Sequence, residues 1–320
     1  MDKRTLVTVS IILTVFLMVG QGITYWANPN SFGSEMQRIG DDIEYELSSS
    51  AAVEYSVTIF ENGTDFDGIY IYYDEGFTSY QSHSQQRAFI NQLMLEFDKR
   101  NTERPTIVDA DKIADLMESG AAVGIIVVSG ILPPTVFSDV NSTAVDWVNG
   151  GGVLYWAGGI LDSCYIGEGG QIIKLSDPGT RFFGIRSVNT ENGKGSVPSE
   201  NRDIGRMLSM NAGNLRGGLM LGLPDTLYLG FQNDDFSSIS VASVGSGMVA
   251  VLGGGLDGEV RVSLAQMVCS GITPDSFGSI EYKTGSFQDS YAGSATVSGS
   301  ATAYVYYGGD HIVYGKRFFL

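Results

Sequence analysis

The stretch that decides the fold runs Val123-Gly-Ile-Ile-Val-Val-Ser129, crosses a short helix, and resumes as Ala144-Val-Asp-Trp-Val-Asn-Gly-Gly-Gly-Val-Leu-Tyr-Trp-Ala-Gly158. An unbroken apolar run bounded by turn residues reads as a strand covered on both faces, the pattern of a parallel sheet. A helix predicted around Ser142–Asn149 stops at Gly150-Gly-Gly152, and Val153–Ala157 forms the next buried strand. Strand, helix, glycines and strand in that order make one βαβ unit.

The same grammar extends in both directions. Toward the N-terminus, Gly68–Tyr73 and Thr106–Val108 read as strands. Between them Ser82-x-x-Gln85 forms a capping box that opens a helix to about Arg100, with Phe89, Ile90, Leu93, Met94 and Phe97 on one face. Asp111–Ser119 is a short helix with Ile113, Leu116 and Met117 inward and Gly120 as its stop. Toward the C-terminus, residues 158–198 are loop-rich with a strand at Arg181–Ile185, and Ser199–Met210 is a helix. Leu215–Leu223, Thr226–Phe231, Ser238–Ser243 and Met248–Leu252 are strands, and Glu259–Ser270 is the last helix. Residues 68–272 therefore form an α/β domain with a mainly parallel sheet.

The flanks follow a different rule. Residues 27–42 are polar and read as a stalk. From Ile43 apolar residues alternate with polar ones through Ile59, giving a β hairpin segment over 43–67 that turns at Ser48–Ser50. Period two returns from Ser279 to Leu320, within a C-terminal β segment over 273–320, and the two segments are expected to pair in a β subdomain beside the core.

Ahead of the stalk, Lys3 and Arg4 precede a 22-residue apolar stretch, Thr5–Trp26, with no charge until Glu35. At 1.5 Å per residue it reaches about 33 Å, enough to cross a hydrocarbon core. The flanking cations and the Tyr25-Trp26 pair fit an N-terminal transmembrane helix and signal anchor over 1–26. The alternative is a cleaved signal peptide, with Gly20-Gln-Gly22 as the cleavage region. Both readings put the rest of the chain outside the cytoplasm. Asn62-Gly-Thr64 and Asn141-Ser-Thr143 are then N-glycosylation acceptor triplets.

Composition excludes several classes. With 36 acidic and 19 basic residues among 320, the net charge of −17 repels nucleic acid. Two cysteines and two histidines are too few for a zinc ribbon or a disulfide framework.

The two quoted runs, together with Gly247-Met-Val-Ala-Val-Leu-Gly-Gly-Gly255 and its following helix, resemble class I glutamine-amidotransferase-like domains. The trehalose-utilisation-like and membrane-associated auxiliary branches are the most similar. The resemblance covers about residues 68–271 and implies a flavodoxin-like, amidotransferase-like fold. That family places a catalytic Cys on a Gly-x-Cys-x-Gly elbow, with a His–Glu pair later. Here Cys164 lies in Asp162-Ser-Cys-Tyr-Ile-Gly167, and no histidine follows before His311. The resemblance therefore implies the scaffold without its catalytic residues.

Other chemistry-bearing positions are few. Asp74-Glu75 end the first core strand, where open α/β sheets bind ligands, and His83 shares their loop. With Ser129 at the end of a neighbouring strand they are the ligand-binding candidates; a solvated acidic loop is the alternative. Gly253-Gly-Gly-Leu-Asp-Gly258 matches G-x-G-x-x-G, but Asp257 would repel a pyrophosphate, and helix packing accounts for the glycines as well. Asn62–Asp67 faintly resembles a calcium loop, with Gly63 where the first acidic ligand belongs. Cys164 and Cys269 are expected as free thiols at opposite edges of the sheet. No metal, cofactor or catalytic residue is predicted.

The resulting expectation is a single-pass membrane protein whose extracytoplasmic part binds a protein partner at the outer face, as an accessory subunit of a transporter or envelope complex. The alternatives are an exported enzyme or carbohydrate-binding protein using the cleft at the carboxyl ends of the strands, and a surface-filament subunit pairing through Tyr304, Tyr306 and Tyr307.

Overall fold

The computed structural model describes residues 34–39, 42–61, 67–76, 81–99, 103–157, 160–188, 194–195, 213–214, 217–253, 256, 258–270, 281–296, 301–307 and 310–312. The first described elements are β1 (Ser34–Ile39) and β2 (Asp42–Glu61). It enters the core with β3 (Ile69–Tyr72), α1 (His83–Lys99), β4 (Thr106–Val108), α2 (Ala110–Glu118), β5 (Gly124–Val127), α3 (Thr143–Asn149) and β6 (Val153–Trp156). A more irregular stretch holds β7 (Cys164–Ile166), β8 (Ile172–Lys174), α4 (Thr180–Phe183), β9 (Ser187–Val188), β10 (Lys194–Gly195) and β11 (Gly213–Asn214). The core closes with β12 (Gly218–Met220), β13 (Thr226–Gln232), β14 (Phe236–Val244), β15 (Gly247–Leu252) and α5 (Gly258–Ser270). Finally come β16 (Glu281–Thr296), β17 (Ala301–Tyr307) and β18 (Asp310–Ile312).

Among the described residues the central sheet has nine strands. β4, β3, β5, β6 and β15 are parallel neighbours in that order. Counted along the chain these five are 2-1-3-4-5, so the winding reverses between β3 and β5. The remaining strands are antiparallel: β14 lies between β15 and β13, and its Phe236-Ser237 end pairs with β12, which pairs with β9. The sheet is thus parallel-rich and mixed.

Alternate residues of each strand feed opposite faces, as a doubly covered sheet requires. Ile126, Tyr155 and Ala250 pack with Phe89, Leu93 and Phe97 of α1 and Leu264 and Val268 of α5. Ile125, Leu154 and Val249 pack with Ile113 and Leu116 of α2 and Trp147 and Val148 of α3. Helix ends follow their local chemistry. Gln85 Oε1 accepts from the Ser82 N–H at 2.9 Å, and Ser82 Oγ accepts from the Gln85 N–H at 3.3 Å, which is the predicted capping box. Asp109 Oδ1 accepts from the Lys112 N–H at 2.9 Å. At the far end of α2 the Gly120 N–H donates to Met117 O and the Ala121 N–H to Leu116 O, a Schellman motif with Gly120 at φ +68°.

The glycine wall after α3 makes room for one ring. A Cβ on Gly152 would fall 2.2 Å from the Trp147 indole, whose Nε1 donates to Ala121 O at 3.0 Å. The indole is thereby clamped between α3 and the loop entering β5.

The second sheet joins both chain ends. β2 pairs with β16 along most of its length, and with β1 and β17 over its two halves; β17 also pairs with β18. The expected hairpin turn at Ser48–Ser50 is not a turn. β2 runs through it as one 20-residue strand, and the irregularity is absorbed as a bulge opposite Phe287–Asp289, where Asp289 has φ +73°. Lys283 Nζ reaches the Ser294 carbonyl at 2.5 Å. Eleven residues of straight strand would span about 36 Å, so β16 bends sharply. Tyr55, Phe287 and Tyr291 gather there, with Tyr55 and Tyr291 centroids 4.3 Å apart.

Three further expectations change. Arg181–Ile185 is not a strand: the short helix α4 occupies Thr180–Phe183, bracketed by Gly179 and Gly184. The loop-rich stretch contains the β7–β8 hairpin and β9, strands too short for an alternation to register. The strand edge through which the surface-filament alternative would pair is closed over Val305–Tyr307, where β2 and β18 flank β17 on both sides. The helix expected over 199–210 lies outside the described residues.

Candidate functional site

The carboxyl ends of β3 and β5 flank the point where the winding reverses, the position at which open α/β sheets bind ligands. The register Tyr72↔Val127, continued two residues, brings Asp74 and Ser129 to the same level there. The structure therefore juxtaposes the two predicted positions but commits both to the fold. Ser129 is fully buried, and its Oγ donates to Ile131 O at 3.0 Å, closing the turn after β5. Asp74 Oδ1 accepts from the Gly76 N–H at 2.7 Å, an Asx-turn, and Oδ2 accepts from the Tyr72 hydroxyl at 3.4 Å. Burial, then the Asp74 carboxylate, pushes the Tyr72 phenol well above its ordinary value of 10.0.

Glu75 and His83 belong to one surface cluster. Arg87 pairs with Glu75 Oε1 at 2.7 Å and donates through Nε to the Tyr73 hydroxyl at 3.2 Å. That hydroxyl lies 3.4 Å from His83 Nδ1, and the two rings meet edge to face. The pair is exposed and contributes little to stability. Its effect is to tie the N-terminal turns of α1 to the loop after β3. Among the described residues no group of three or more His, Cys, Asp or Glu side chains is disposed to hold a metal ion.

Cys164 begins β7, opposite Lys174 of β8. Its thiol is buried and lies 3.9 Å from Ser163 Oγ, the donor of that contact. Burial pushes the thiol above its ordinary value of 9.0; Ser163 and Lys174 act against that shift, and Asp162 adds to it. A buried, protonated thiol in a strand is the opposite of the exposed, electropositive setting that activates cysteine. Cys269 is half-buried in α5, and neither cysteine is in a disulfide.

The G-x-G-x-x-G match resolves in part. A Cβ on Gly253 would lie 2.5 Å from Ser238 O and 2.9 Å from Gly217 O, so close backbone approach requires this glycine. Residues 254, 255 and 257 lie outside the described residues, as do Asn62 and the faint calcium loop over 62–66. Asn141 is half-buried: Nδ2 donates to Thr135 O at 2.7 Å and Oδ1 accepts from the Thr143 N–H at 2.9 Å, so its amide braces the loop before α3.

Two features carried no pattern in the sequence. Asp162, in the loop leaving the carboxyl end of β6, is fully buried at φ +50°, a conformation uncommon for a residue with a side chain. Directly after it, Ser163 enters the wall of a cleft of about 660 Å³ between the β7–β8 hairpin and β9. Among the described residues Lys174, Ser176, Asp177, Thr180, Arg186 and Ser187 make up the rest of its polar lining. The only signal for this site was the Asp-Ser pair following a buried strand; Lys174 and Arg186 come from elements with no readable period.

No protein-family model and no curated protein sequence matches the chain. Among solved structures it is similar to Gan42B, a GH42 beta-galactosidase, with TM-score 0.40 and 14% identity, over 62% of this chain and 29% of that one. A catalytic mutant of Gan42B from G. stearothermophilus gives TM-score 0.40 and 14% identity, over 64% and 30%. The exo-beta-1,4-mannosidase Op5Man5 from Opitutaceae bacterium strain TAV5 gives TM-score 0.34 and 14% identity, over 67% and 34%. The chain spans about a third or less of the length of these proteins.

Proposed function

We propose that this chain is a membrane-anchored extracytoplasmic binding and assembly protein. Its amidotransferase-like α/β core presents a surface to a protein partner, as an accessory subunit of a transporter or envelope complex, and does not transform a substrate. The observation that carries the non-catalytic reading is Cys164: buried in a strand, held protonated, and contacted by a serine hydroxyl. The side chains at the β3/β5 switch point support it too, since Asp74, Glu75, His83 and Ser129 are each bonded to neighbouring parts of the fold.

The anchor rests on Thr5–Trp26, which lies outside the described residues; among the described residues no helix is long and apolar enough to cross a membrane. Expression of the full chain in an exporting host tests it. The anchored reading expects the protein to resist carbonate extraction from membranes and to be digested by protease added outside. A chain that retains its N-terminus by mass yet washes off as soluble protein overturns it.

A second reading, an exported ligand-binding protein, is favoured by the polar cleft beside β7–β8.

A further inference from the structure

The cleft between the β7–β8 hairpin and β9 reverses the charge of the chain around it. The whole sequence has nearly two acidic residues for each basic one, yet among the described residues the cleft wall carries Lys174 and Arg186 against one carboxylate, Asp177. Two other exposed arginines have carboxylate partners: Arg87 pairs with Glu75 and Arg104 with Asp98. Lys174 and Arg186 form no such pair among the described residues, and Asp177 Oδ1 instead accepts from Ser176 Oγ at 3.5 Å. Two unneutralised cations lining one concavity raise the local concentration of anions, and more strongly against a low-dielectric wall.

The rest of the lining defines the ligand further. Ser163, Ser176, Thr180 and Ser187 surround the space with hydroxyls. Ser187 Oγ donates its proton to Gly218 O at 3.1 Å and Ser163 Oγ directs its proton to Cys164 Sγ, so both present lone pairs to a ligand O–H. Leu175, Pro178 and Val188 give an apolar floor, and among the described residues no aromatic ring lines the cleft, so recognition by these residues rests on charge and hydrogen bonds. A volume of about 660 Å³ suits a small molecule.

We propose that this cleft binds a small hydroxylated carboxylate, a hydroxy acid or an acidic sugar, with Arg186 and Lys174 on its carboxylate and the serine and threonine hydroxyls on its O–H groups. This goes beyond the assembly role and does not depend on the membrane anchor. Guanidinium meets a carboxylate with two parallel bonds, which makes Arg186 the orienting group and Lys174 the supporting charge.

Calorimetric titration of the purified full chain in detergent tests the assignment, with glucuronate and malate as the two sources of the chemistry. Glucose serves as the same scaffold without the carboxylate, and acetate as the carboxylate without hydroxyls. Binding of glucuronate or malate is expected, whichever is tighter naming the source, with glucose and acetate each weaker by roughly tenfold or more. Affinity should fall as salt rises. The variant Lys174→Gln/Arg186→Gln alters two exposed side chains, so its circular dichroism should match the parent while binding is lost. Equal binding of glucose and glucuronate, unchanged affinity in the folded double variant, or no heat from either anion overturns the proposal. Failure of the membrane assay leaves these outcomes unaffected, so the two readings fail separately.

Discussion

Cys164 stands directly across the β7–β8 ladder from Lys174, on the chain segment that leaves the carboxyl end of β6. Opposite charge would favour a thiolate, but burial dominates and the thiol stays above its ordinary range. We expect Cys164 to resist alkylation by iodoacetamide at neutral pH, reacting roughly tenfold or more slowly than in the urea-unfolded chain. Peptide mapping after timed labelling measures this, and labelling of Cys164 at the unfolded rate would refute it.

The tyrosines give a pH dependence of definite sign. Burial and then Tyr291 push the Tyr55 phenol up to about 12, and Tyr72 is raised further still. The unfolded chain releases these protons near pH 10 while the native state keeps them. Their stabilising effect is therefore complete below pH 10 and is lost as pH rises toward 12. Urea midpoints should fall across that window, and less steeply in Tyr55→Phe and Tyr72→Phe. An unchanged slope in both variants would contradict the assignment.

Much of the core was legible because its strands are buried on both faces. Runs such as Val123–Ser129 and Val153–Ala157 have no polar interruption, and Ser82, Gln85 and Gly120 mark helix ends by their own chemistry. The flanking segments showed their strands through period two, but β2 crosses Ser48–Ser50 without turning because it takes up its extra residues as a bulge against the continuous ladder of β16; pairing is not written in one strand alone. The site was less legible. Asp74 and Ser129 were found by their place at strand ends, but their hydrogen bonds to Gly76 and Ile131 depend on loop geometry. The Lys174–Arg186 cleft was missed because a two-residue strand and a three-residue hairpin arm assemble it from residues without local periodicity.

The glycine wall makes a packing prediction. Gly152→Val places carbon atoms inside the Trp147 indole and should cost about 1–3 kcal/mol or more, as overpacking does. Trp147→Ala should relieve the clash while removing the indole bond to Ala121. A double-mutant cycle by urea denaturation should show strong coupling between the two positions; additive effects would mean that the ring does not lie against Gly152.

At the start of α1, Ser82→Ala removes the hydroxyl that caps the Gln85 N–H and should destabilise the domain by about 1 kcal/mol. Ser82→Asp, which keeps an acceptor and adds a charge suited to the helix N-terminus, should restore most of the loss. Thermal unfolding of the three proteins decides it, and indifference to both changes would exclude the capping box.

We propose that this core holds the framework of an amidotransferase-like, ammonia-releasing domain without its chemistry, a reading carried by the buried thiol of Cys164. Ammonia release from glutamine by the purified full chain tests it most directly, with Cys164→Ser as the control. No release above background is expected from either protein. Turnover by the parent that disappears in Cys164→Ser would contradict it.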